Sequence, residues 1–64
     1  MSEMQSPILK FFEFGHLPEH LQDVSRPFHA TAVWMEQNLP GCAEKSAGLR
    51  KLLEAKDCAV RAAL

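Results

Sequence analysis

The 64-residue chain predicts an all-α fold: an antiparallel helical hairpin with a short N-terminal arm or helix, assembled into an oligomer. Three observations lead there. No proline occurs after Pro40, and Ala, Leu, Lys, Glu and Arg fill most later positions, which is the composition of a strong helix. Upstream, Leu17, Leu21, Val24, Phe28, Thr31, Met35 and Asn38 recur at steps of three and four, the period of one helical face. Between the two segments, Leu39-Pro40-Gly41 stops one helix and turns the chain into the next. The sequence shows no strand alternation, internal repeat or low-complexity tract.

Residues 1–7 are polar and aperiodic and read as a flexible N-terminus or an oligomer contact; residues 8–64 form the single domain. Ile8 to Phe14 holds three of the four phenylalanines, Phe11, Phe12 and Phe14. Such a cluster needs cover, so the segment is expected to lie across the hairpin with Phe11 and Phe12 against the core. Phe14, next to Gly15, is better placed to leave it.

The first long helix is expected to begin near Pro18, since proline suits a first turn and Glu19 complements the positive end of the dipole. Pro27 falls inside it and removes a hydrogen bond at a cost of about 3 kcal/mol, which predicts a bend around Asp23 to Arg26. Gly41 is the expected N-cap of the second helix, with Glu44 three residues on. That helix carries two stripes. Ser46, Leu49, Leu53, Lys56, Val60 and Ala63 form one, with a single charged interruption, and Leu52, Ala55, Ala59 and Ala62 form the other. The first helix can cover only one of them, so the second calls for a partner from another chain.

Size argues the same way. Below roughly 70 to 80 residues a core seldom supplies more than ~3 to 5 kcal/mol unaided. Cys42 and Cys58, sixteen residues apart on one helix, stand roughly 24 Å from each other and cannot pair within it. They read as reduced thiols, Cys58 towards a packed surface, which leaves oligomerisation as the route to stability.

No apolar run approaches the length of a membrane span and no basic-then-apolar leader opens the chain, so a soluble cytoplasmic protein is expected. A formal charge of -1 excludes general binding of polymeric nucleic acid, which needs a broad basic surface. The charge is uneven: residues 1–40 carry two basic against five acidic side chains, residues 41–64 five against three. A small anion can still find positive sites at a subunit junction.

His16 and His20 are four apart, but no cysteine or acidic cluster completes a metal site, and neither a metal nor a cofactor is expected. Cys42 has no activating partner in view, so catalysis is not expected. Trp34 lies one step off the main stripe and reads as oligomer packing rather than ligand stacking. Arg26, His29 and Val33 share another face of the first helix. They form either a solvated face or an anion contact beside Phe14, whose ring offers a plane for a base.

The stretch Pro40-Gly41-Cys42-Ala43-Glu44-Lys45-Ser46-Ala47-Gly48-Leu49-Arg50-Lys51-Leu52-Leu53-Glu54-Ala55, with Phe12-Glu13-Phe14 and the loop holding Pro18 upstream, resembles the helical-hairpin domain of phage cyclic-oligonucleotide sponges, the anti-CBASS and anti-Thoeris proteins. The likeness spans most of residues 12–64. It implies non-catalytic sequestration in the cytoplasm of the infected bacterial host. Members form compact homo-oligomers, commonly hexamers, that hold cyclic dinucleotides such as cyclic GMP-AMP, and in some members cyclic trinucleotides, between subunits. The resemblance implies that Phe14 stacks on a base, that Arg26, with His29 one turn away, meets phosphate, and that Arg61 serves a second kind of pocket. Phe14 stands where tyrosine is frequent, which keeps the stacking plane and lacks the hydroxyl. The alternative, from the residues alone, is a helical-hairpin protein-interaction module with no small-molecule ligand.

Overall fold

A computed structural model describes residues 7–64. The N-terminal segment assigned to residues 1–7 therefore lies almost wholly outside the described residues. A 3-10 helix, Pro7–Phe12, is followed by two α-helices, α1 (Glu19–Asn38) and α2 (Ala43–Ala63). Among the described residues there is no strand. The contacts run in opposite senses along the two helices. Lys45 near the start of α2 meets Glu36 near the end of α1, Gly48 meets Met35, and Val60 lines a groove with Leu17, just ahead of α1. The pair is thus an antiparallel hairpin, and the 3-10 segment packs against both helices.

Each element contributes one fully buried apolar residue to the core: Phe12, Ala32 and Leu49. Ile8, Leu9, Phe28, Met35, Leu52 and Leu53 pack around them, half-buried. Phe11, expected beside Phe12 in the core, is 55% exposed instead. The reason is the 3-10 geometry. At three residues per turn, adjacent side chains diverge by about 120°, so one face cannot take both rings.

The inward stripe of α1 is Leu21, Ser25, Phe28, Ala32 and Met35 rather than the expected series through Val24 and Thr31. Ser25 and Ala32 are small and fully buried, which lets the neighbouring elements approach the helix closely. Thr31 stays exposed and donates its hydroxyl to the Pro27 carbonyl at 2.9 Å. α1 continues through Pro27 without interruption. The ring removes the donor that the Asp23 carbonyl would otherwise receive, and Asp23 lies on the exposed side, within reach of water.

Pro18 is the N-cap of α1, its carbonyl accepting from the Leu21 and Gln22 amides at 2.9 Å each. At the other end of the hairpin the N-cap of α2 is Cys42, not Gly41. Its backbone is extended, it makes no side-chain cap bond, and its carbonyl accepts from Ser46 at 3.1 Å. Lys56, the charged interruption in the predicted stripe, is accommodated by laying its stem along the packed surface. Only 13% of its side chain is exposed, and the ammonium sits 3.0 Å from the Asp57 carboxylate. Cys58, expected to face a packed surface, is exposed in the single chain, as is Cys42.

Candidate ligand-binding site

The site begins with the short link between the 3-10 helix and α1. The Leu17 amide donates to the Phe14 carbonyl at 3.0 Å, closing a turn over Phe14 to Leu17. Gln22, in the first turns of α1, anchors that turn: its side-chain amide donates to the Leu17 carbonyl at 2.8 Å and reaches the Gly15 carbonyl at 3.5 Å. Phe14 is held half-buried against α1 by this arrangement.

Arg26 and His29 are three residues apart on α1 and project on the same side of the helix. The Phe14 ring meets both. His29 approaches it edge to face, with centroids 5.3 Å apart and planes at 76°, and the Arg26 guanidinium carbon lies over the ring 5.2 Å from its centroid. Three of the four residues singled out in the sequence therefore form one cluster within a single chain. Quadrupole attraction favours both contacts, since a T-shaped pair sets the positive edge of one ring against the electron-rich face of the other and a cation over a ring meets that same face.

Asp23 completes the cluster, and the sequence reading passed over it. Its Oδ1 accepts from Arg26 Nη1 at 2.7 Å, with both side chains largely in solvent. The signal was available, because an acid three residues before an arginine on a helix meets it. His29 also lines an open groove of about 370 Å³ between the 3-10 segment and α1, with Lys10, Glu13, Val33 and Glu36 among its walls. The groove is mixed in sign rather than a cationic funnel.

Arg61 is not part of this cluster. It lines a separate groove of about 360 Å³ with Lys10, Phe11, His16, Lys56 and Asp57 among others, and its Nη2 donates to Cys58 Sγ at 3.3 Å. Among the described residues no three histidine, cysteine or acidic side chains gather as a metal site. Among the described residues no helix is long and apolar enough to cross a membrane. The chain matches no protein-family model, no curated protein and no solved structure.

Proposed function

We propose that the protein is a non-catalytic sponge for cyclic oligonucleotide immune signals. It binds cyclic dinucleotides, with cyclic trinucleotides as a further candidate class and Arg61 as the candidate residue of a second pocket, and withholds its ligand uncleaved from the CBASS effector of the infected cell. The observation that carries this reading is the meeting of Phe14, Arg26 and His29 in one cluster. Their residue types match what a cyclic dinucleotide offers: a base for the ring and a phosphodiester for the cation. Base-aromatic stacking contributes about 1 to 3 kcal/mol per base, and a guanidinium meets phosphate through two parallel hydrogen bonds. A homo-oligomer, with the hexamer as the expected form, would present the cluster twice about each twofold axis, suiting a ligand of near-twofold shape. The outward positions Ala55 and Ala62 of α2 and the exposed Trp34 of α1 support the assembly.

Calorimetry with a panel of cyclic di- and trinucleotides tests the reading. The intact protein should bind at least one of them, and the ligand released on denaturation should be chemically unaltered. Phe14→Ala and Arg26→Ala should each weaken binding tenfold or more while leaving the helical fold in place, since neither residue belongs to the buried core. Wild-type affinity in both variants would remove the cluster from the site. Failure of the whole panel would favour the protein-interaction module, to which the 57% exposed Trp34 already lends support.

A further inference from the structure

Resting on the reading above, one relationship reaches beyond it: the face of Phe14 on which a base would stack is already covered from within the chain. The Arg26 guanidinium lies over that ring, and the same guanidinium donates through Nη1 to the Asp23 carboxylate at 2.7 Å. We propose that Asp23 is a positioning residue that latches Arg26 over Phe14 in the empty site, and that a cyclic dinucleotide opens the latch by a double exchange. The base replaces the guanidinium on the ring, and the phosphodiester replaces the Asp23 carboxylate on the guanidinium.

The chemistry of the exchange is balanced. Carboxylate and phosphodiester both present paired oxygens to the planar fork of arginine, so Asp23 is an intramolecular stand-in for the ligand's phosphate. The side chains of Arg26 and Asp23 are 55% and 66% exposed, so ligand reaches the latch without opening the core. An exposed ion pair of this kind is weak, so it lowers affinity modestly without closing the site. The latch also selects a ligand class. Inorganic phosphate can take the guanidinium but has no ring to cover Phe14, and a free base can cover Phe14 but has no phosphate to hold Arg26. Only a ligand carrying both replaces what the latch supplied.

The test combines the free protein with a binding cycle. In the ligand-free wild type, NMR should show the Arg26 Hδ and Hε resonances displaced upfield by the Phe14 ring current, with the displacement lost in Phe14→Leu and reduced in Asp23→Asn. Undisplaced Arg26 resonances in the wild type would overturn the latch. With cyclic GMP-AMP as the probe, Asp23→Asn should bind about two- to fivefold tighter than the wild type, the scale of one exposed ion pair. Asp23→Glu should stay near the wild-type value, and in the Arg26→Ala background Asp23→Asn should give no gain. Equal affinity of the wild type and Asp23→Asn would overturn the latch and leave the sponge reading standing. A gain of the same size in the Arg26→Ala background would do so too, because it would mark a general charge effect. No binding by the wild type would overturn the sponge reading and the latch with it.

Discussion

Lys45 Nζ stands 3.3 Å from the Glu36 carboxylate and within 3.3 and 3.4 Å of the Glu36 and Leu39 backbone carbonyls. A lysine in the first turn of α2 thus serves the C-terminal end of α1, where unpaired carbonyls and the negative end of the dipole favour a cation. Both side chains are largely buried, 11% and 14% exposed, so the contact is not a solvated surface pair.

Lys45→Met keeps most of the stem and deletes the ammonium, withdrawing one partner of the Glu36 carboxylate and a donor from two carbonyls. The expected loss is about 1 to 3 kcal/mol of folding stability, read as a lower urea midpoint with an unchanged slope. A midpoint equal to wild type would show that water serves the same groups equally well.

Gly48 faces Met35, and a Cβ built there would lie 3.0 Å from the Met35 Cε. That methyl is the tip of a flexible side chain and can retreat by a few tenths of an ångström. Replacing a mid-helix glycine by alanine gains about 0.5 to 1 kcal/mol in helix propensity. Gly48→Ala should therefore raise stability by about 0.5 kcal/mol, whereas Gly48→Leu should lower it by forcing the helices apart. Thermal unfolding of the pair decides the sign.

Ser25 is 1% exposed, and its hydroxyl has no hydrogen-bond partner among the described residues. Removing such a group should cost nothing and relieve a desolvation penalty, so Ser25→Ala should be about 0.5 to 1.5 kcal/mol more stable than wild type. A destabilised variant in the same denaturation experiment would mean that the hydroxyl finds a partner in solution or in the assembled state.

Ala59, half-buried in the single chain, shares an α2 face with the exposed Ala55 and Ala62, whereas Leu52 of the same stripe packs against the chain's own core. If that face joins subunits, Ala59→Glu places an unpaired charge in the contact, and the particle should shrink in sedimentation. Unchanged mass together with unchanged stability would assign the face to solvent.

Both helices, their turn and the aromatic arm were legible in composition and spacing, because long periodic segments with a strong breaker between them leave few alternatives. The rotation of the α1 stripe was not. Ser25 and Ala32 carry little hydropathic signal yet are fully buried, Ala32 in one cluster with Phe12 and Leu49, while Val24 and Thr31 fitted the pattern as well on paper. Lys45 was invisible for a related reason, since a lysine in a first turn reads as solvated until the carbonyls of another helix are brought to it. The spacing of Arg26 and His29 was readable, and the arrival of Phe14 beside them depends on the Phe14 to Leu17 turn and its Gln22 anchor. Arg61 was given a second kind of pocket by the resemblance alone, and it lies in a groove apart from the Phe14 cluster.

The union of Phe12 with Ala32 and Leu49 also sets an order of events as the chain folds. Residues 36 and 45 meet across a turn of a few residues, whereas Phe12 must find Leu49 across thirty-seven residues, more than half of the chain. Loop-closure entropy favours short-range contacts first, so the hairpin forms early and the arm docks last. Phe14 lies beyond that arm, in the link that the Gln22 side chain ties to α1. Its meeting with Arg26 and His29 closes loops of only twelve and fifteen residues and uses no residue of α2, so by the same entropy a nascent chain can organise the binding cluster before α2 has emerged.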